Sequence, residues 1–268
     1  MIKNYLRKKL NHPLFNSKFC IVSGIGRSGT TVLRKSLELH PLINSTRTEN
    51  NLVYDLLEAL DTSVTRRSNA IKVPIGDHFN LFKNLIIETS FPYCRDLNKV
   101  NTICCDLSEG ALSQLTKLFN EQCKVLYIIR NGIEVVASRM LKPQFTHFSF
   151  EDNCRIWARS MKVVDSAKKH SNFLVVRHEN MYREKSLQNM YQKMCNHLDL
   201  EVQESCIEFA LNTYCHPTML NDEDCNLKSI KSRIQRWATF SDKQKTVFGE
   251  ICGDAMDFFN YRFPPDQE

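Results

Sequence analysis

Short unbroken apolar runs punctuate the chain at Phe19 to Val22, Thr102 to Cys105, Val125 to Ile129 and Phe173 to Val176, with Ile71 to Val73 as a weaker fifth. Runs of this length without polar alternation predict strands covered on both faces. A stretch with helical periodicity follows each of them. From Ser149, which forms a capping-box pattern with Asp152, apolar residues recur at Ile156, Trp157, Met161 and Val164, while Arg155, Arg159 and Lys162 fall off that stripe. Further stripes run through Leu187, Met190, Tyr191 and Met194, and through Val247, Ile251, Ala255 and Phe258. Strands alternating with helices predict an α/β fold with a mostly parallel sheet, flanked by helices on both faces, and a helix-rich C-terminal part. In such a sheet ligands sit at the carboxyl ends of the strands.

Composition changes this picture little. The 268 residues suit a single domain over 18–268, preceded by a basic arm over 1–17. Eight glycines and eight prolines favour long helices over hairpins. A net charge of +6 spread over the chain is a solubility feature, and no nucleic-acid partner is expected. Lys3, Arg7, Lys8 and Lys9 are followed by no apolar run long enough to span a bilayer, so no stable membrane insertion is expected. The eleven cysteines contain no C-x-x-C and are irregularly spaced. That pattern favours reduced, buried thiols in a cytoplasmic setting and argues against a metal site or a disulfide framework. Nothing in the sequence speaks to oligomeric state.

The first strand runs into Ser23-Gly24-Ile25-Gly26-Arg27-Ser28-Gly29-Thr30-Thr31, and Thr30 through His40 reads as a helix that Pro41 ends. Gly24 and Gly29 are spaced as in the P-loop pattern G-x-x-x-x-G-K-[ST], whose backbone N–H groups close around phosphate at a helix N-terminus. The sheet is therefore expected to be P-loop-like. Thr30 stands where that pattern has the lysine that reaches the outer phosphates of a triphosphate. Arg27 instead offers a planar cation, and Ser28, Thr30 and Thr31 offer hydroxyls, for a smaller anion such as a 5'-phosphosulfate. A second anion site is suggested by Arg130 at the end of the Val125 to Ile129 strand. Ser138 follows it on a short helix, Ile133 to Leu141, with Lys142 one turn further on. An arginine at a strand end and a serine on the next helix are individually commonplace, and taken alone the pair reads more readily as structural than as a ligand site.

Arg27-Ser28-Gly29-Thr30-Thr31 matches the 5'-phosphosulfate loop R-S-G-T-T of the sulfotransferase superfamily letter for letter, and the stretch through Leu39-His40-Pro41 is most similar to tyrosylprotein-sulfotransferase-like and bacterial members. The resemblance implies 3'-phosphoadenosine 5'-phosphosulfate (PAPS) as donor, leaving 3'-phosphoadenosine 5'-phosphate (PAP). It also implies a 3'-phosphate site at Arg130 and Ser138, which have the family's eight-residue spacing, with Lys142 as a further basic contact. Sulfuryl transfer puts charge on the leaving phosphate oxygen in a loose, in-line transition state, so positioning and cations carry it and no metal is required. Arg27 is the cation expected nearest that charge.

By the same resemblance Glu49 is the candidate general base, one position away from the family's glutamate; the alternative is a solvated surface carboxylate. Lys72-Val73-Pro74 fits the K-x-P triplet whose lysine supports the leaving group, although the usual spacing back from Arg130 falls on Asp106. Arg236, before Trp237, matches a basic residue that reaches the cofactor phosphate, and His178-Glu179-Asn180-Met181 resembles a Y-E-x-L segment near the adenine. The acceptor has no recognisable code; a small molecule bearing a hydroxyl or amine is expected. Two other readings stand beside this one. A P-loop kinase-like phosphotransferase would use Asp106 for magnesium, and a non-catalytic nucleotide-binding protein would have Glu49 turned away from the loop.

Overall fold

The computed structural model describes residues 13–46, 48–68, 76–91, 96–168, 170–214 and 233–264. Five strands, β1 (Phe19–Ser23), β2 (Ile43–Ser45), β3 (Val100–Cys104), β4 (Cys123–Ile129) and β5 (Phe173–Arg177), form one sheet in the order β2-β3-β1-β4-β5. Every neighbouring pair is parallel. Four of the strands lie on the four strong apolar runs. The fifth, β2, has only three residues, two of them polar, and occupies an edge, so it carried no apolar signal. The expected strand at Ile71 to Val73 lies outside the described residues.

Side chains of a strand alternate between the two faces of the sheet, and here each face meets its own core. Phe19, Ile21, Val125, Tyr127 and Ile129 enter one core, while Cys20, Val22, Leu126 and Ile128 enter the other. The second core is closed by helices α1 (Thr30–Glu38), α7 (Glu184–Leu198) and α8 (Glu204–Tyr214), through Leu33, Leu37, Leu187, Met194 and Ile207. The first is larger. It is covered by α2 (Asn51–Ser68), α3 (Gly76–Ser90), α4 (Glu109–Phe119), α5 (Gly132–Met140), α6 (Phe150–Ala167) and α10 (Asp242–Phe258), with a short α9 over 233–238 beside the last of these. Helices on both faces explain why the strands read as continuous apolar runs.

Helix α6 begins with the expected capping box between Ser149 and Asp152, and Trp157, Met161 and Val164 are buried on it. Helix α10 differs from the expected stripe. Phe248, Cys252 and Met256 face the core, and Phe258 is 52% exposed. The two stripes are one residue apart, and aromatic packing of Phe248 against Trp157 and Trp237 selects the one that is buried. The eight described cysteines are all buried and unbridged.

Candidate active site

The carboxyl end of β1 delivers the chain into a turn that only particular residues can make. Gly24 has φ 150°, and a Cβ there would lie 2.4 Å from the Ile128 carbonyl oxygen on β4, so the loop hugs the neighbouring strand. Ser28 closes the turn: its N–H and its Oγ both donate to the Ile25 carbonyl, at 3.0 and 2.6 Å. Gly29, at φ 105°, is the N-cap of α1, and a Cβ on it would lie 2.5 Å from His178 Cδ2. No side chain caps this helix, so its leading amides are left for an anion, which the helix dipole favours there.

The two anion motifs converge. Arg27 Nε donates to Ser138 Oγ at 3.0 Å, and Arg130 Nη1 donates to the Arg27 carbonyl at 3.1 Å. Arg130 also pairs with Glu134 through Nε at 2.9 Å and donates to the Tyr182 hydroxyl at 3.4 Å. Burial works against its charge, but Glu134, Tyr182 and Glu179 more than offset this and raise its pKa above the usual arginine value. Arg236, from α9, donates to the Glu134 backbone carbonyl at 2.8 Å. Burial, then the charges of Arg130 and Arg27, lower its pKa. Three guanidinium groups that repel one another at close quarters form a site an oxyanion would relieve.

Arg27 and Arg130 line a cavity of about 320 Å³ together with Gly29, Thr30, Thr31 and Glu49. Thr30 Oγ1 donates to Glu49 Oε1 at 3.4 Å, so the carboxylate is turned toward the loop. Of the residues expected in the site, Arg27, Gly29, Thr30, Thr31, Arg130 and Glu49 line this cavity, Ser138 reaches it through Arg27, and Arg236 braces it through Glu134. Ser28 is fully buried with its donors spent inside the turn, so it shapes the loop without lining the cavity. Lys142 is exposed and lies in extended backbone past the C-cap Leu141, so it does not continue the helical face of Ser138. Lys72 lies outside the described residues.

Further residues complete the site, and of these only the His178–Glu179 segment was singled out in the sequence. Tyr182 and Phe145 line the cavity, Glu134 orients Arg130, and Glu179 accepts from the Asn131 N–H at 2.9 Å, holding the turn after β4. His178 lies against Gly29 and is 2% exposed; burial, and then Arg130 and Arg236, hold its imidazole well below the usual histidine range. Arg139 is also buried, on the far side of the loop from Arg130, with its guanidinium 4.0 Å from the Phe145 ring. An arginine inside a helix buried on nearly every face was the available clue to it. Asp106 follows the carboxyl end of β3 and lines a second cavity with Gly24, Gly26 and Arg139.

A sequence profile of the sulfotransferase family matches residues 20–204. No curated protein matches the chain significantly. Among solved structures, the sulfotransferase domain from the curacin biosynthetic pathway superposes with a TM-score of 0.55 at 16% identity, covering 92% of this chain and 99% of that one. The sulfotransferase domain of the Synechococcus PCC 7002 olefin synthase gives 0.55 at 14% identity, covering 93% and 97%. Mouse sulfotransferase SULT7A1 complexed with PAP gives 0.54 at 14% identity, covering 90% and 85%. At these identities the superpositions speak to the fold alone. No helix among the described residues is long and apolar enough to cross a membrane.

Proposed function

The chain belongs to the sulfotransferase family, and from that premise we propose that it moves the sulfuryl group of PAPS to a hydroxyl or amine of a small-molecule acceptor, with Glu49 as general base. One observation supports the choice of donor above the others: the 5' loop and the Arg130–Ser138 motif are joined directly, by Arg27 Nε to Ser138 and Arg130 Nη1 to the Arg27 carbonyl. A ligand with an anion at each end of one nucleoside is what such a pairing of sites holds. A triphosphate lacks a counterpart for the second site, and the loop lacks the lysine that would reach its outer phosphates.

The donor supplies an activated sulfuryl group on a phosphate that leaves as an anion. The residues of the chain have separable tasks around it. The uncapped amides of α1 and the hydroxyls of Thr30 and Thr31 cradle the 5' end, while Arg130, Ser138 and Arg236 hold the 3'-phosphate. Arg27 sits between the two ends, where its charge answers the charge that builds on the leaving oxygen. Glu49, beside Thr30 at the mouth of the loop, takes the proton of the acceptor nucleophile. Charge-assisted hydrogen bonds of this kind contribute about 1.5–3 kcal/mol each, and Arg130 alone can offer more than one.

Thermal shift with PAP against ATP and magnesium tests the donor. PAP raises the melting temperature and ATP does not; stabilisation by ATP alone would sink the reading in favour of a kinase-like one. Arg130→Ala removes the PAP response, and Glu49→Gln keeps it while abolishing turnover with labelled PAPS. Undiminished turnover in the glutamine variant would move the base elsewhere.

A further inference from the structure

A second cavity, of about 540 Å³, opens on the other face of the loop against Gly24, Ile25 and Gly26. Of the described residues it shares only Gly26 and Phe145 with the cation-ringed cavity, so those two form the partition between them. Tyr54, Leu107, Phe148 and Ile156 give it an apolar and aromatic body, and the exposed charged residues Glu109, Arg159 and Lys162 also line it, beside the buried Arg139. An apolar body with polar and charged groups around it suits a small organic ligand that carries a polar group.

Its distinctive feature is Arg139. The side chain is 4% exposed, its Nε is committed to Asn153 Oδ1 at 2.7 Å, and Phe145 and Phe148 flank its guanidinium at 4.0 and 5.6 Å. The terminal Nη donors take no hydrogen-bond partner among the described residues, and no described carboxylate lies within ion-pair distance. Burial lowers its pKa, and Asp106 is the acid that opposes this. Asp106 is exposed along the same cavity, where partial removal from water and Glu49 push its carboxyl up while Arg139 pulls it down. A buried guanidinium with spare donors is costly to maintain unless a ligand completes it. Arg139 stands at the loop end of the cavity, since a Cβ on Gly26 would lie 3.4 Å from its Nη1.

The geometry points to this cavity as the acceptor site, and to an acceptor with an aromatic or apolar body that carries an oxyanion, carboxylate-like in class, held by the Nη donors of Arg139. This rests on the reading that the neighbouring cavity holds the donor. The acceptor nucleophile then approaches the loop past Gly26 and Phe145, with its anionic group on Arg139 and its body against Phe148 and Ile156. Neutral acceptors of the same shape leave the buried cation unanswered, so the site discriminates against them.

The probes are 8-anilinonaphthalene-1-sulfonate and its neutral counterpart N-phenyl-1-naphthylamine, titrated by fluorescence into protein saturated with PAP so that the donor site is filled. The sulfonate binds tighter than the neutral compound by about tenfold or more, the worth of one charge-assisted hydrogen bond. Arg139→Met brings the two probes to parity, and Arg139→Lys retains part of the difference. Because Arg139→Met also removes the buried Asn153 bond, Asp106→Asn provides a second arm that leaves that bond in place: removing the opposing carboxylate tightens sulfonate binding and leaves the neutral probe unmoved. Equal affinities in the wild-type protein, or a sulfonate affinity that Asp106→Asn does not change, overturn the assignment. If PAP itself fails to raise the melting temperature, the donor reading fails; if PAP stabilises and the probes bind alike, only the acceptor class fails.

Discussion

Arg27 has φ 84°, a conformation that disfavours any residue with a Cβ, yet it bears the longest side chain in the loop. Left-handed backbone costs a non-glycine residue about 1 kcal/mol or somewhat more, and such strain collects where a side chain is needed in one place. Arg27→Gly separates the two effects. Relief of strain offsets the loss of the Ser138 bond, so the variant melts within a few degrees of the wild type, while PAP affinity falls about tenfold or more with the lost charge. Equal loss of stability and affinity would mean the arginine is structural. His178 gives a second measurement. Burial, with Arg130 and Arg236 nearby, depresses its pKa, so the folded protein keeps the imidazole neutral while the unfolded chain titrates near pH 6.5, about the free-histidine value. Its contribution to stability is therefore present above about pH 6.5 and lost as pH falls toward the depressed value, with a slope of at most about 1.4 kcal/mol per pH unit. Glu179 is shifted up by burial and acts with the opposite sign, but it is common to both proteins being compared. Denaturant midpoints of His178→Phe and wild type, taken from pH 7.5 downward, should converge or cross as the wild type loses this increment; parallel curves would contradict the assignment.

Single elements carry much of the preorganisation, and α6 shows how. Ser149 caps its start and does not line the cation-ringed cavity, whereas Trp157 Nε1 donates to the Arg130 carbonyl at 3.0 Å and its ring packs on Gly132, where a Cβ would lie 2.9 Å away. The helix thus holds the strand end from which Arg130 projects. Ser149→Ala costs about 1 kcal/mol of stability through the lost cap and leaves PAP affinity unchanged. Trp157→Phe also lowers stability, by about 1–3 kcal/mol for the unanswered buried carbonyl, but weakens PAP binding as well. Melting curves paired with PAP titrations distinguish the two; equal affinity in both variants would show that α6 does not position Arg130. This division also marks what was legible in the sequence. Strands β1, β3, β4 and β5 were readable because both faces are buried, and the capping box because it is local chemistry. Strand β2 was not, since three residues at an edge leave no periodic trace, and the α10 stripe was misplaced because tertiary contacts of Phe248 chose between two adjacent apolar rows.

For the molecule as a whole, the cavity proposed for the donor is assembled from parts far apart in the chain: the loop after β1, the β4–α5 turn, the segment after β5 and, bracing it, α9. Sequence reading singled out the loop and the Arg130–Ser138 pair because each lies next to a recognisable strand, and proposed Arg236 from its place before Trp237. Arg139 and Tyr182 escaped because their roles exist only once β1, β4 and β5 lie side by side. The same assembly makes the site a clamp between regions that unfold together only if the sheet does. A ligand at 100 times its dissociation constant stabilises the folded state by about 2.7 kcal/mol, and that gain should appear wherever its contacts converge. Hydrogen exchange in saturating PAP is therefore expected to slow together in 24–31, 130–138 and 233–238. The amino ends of the strands at Asn120–Gln122 and 170–172, on the opposite edge of the sheet, should change little. Protection confined to 24–31 would mean that the loop binds the 5' end alone and that Arg130 and Arg236 belong to the architecture and not to the nucleotide site.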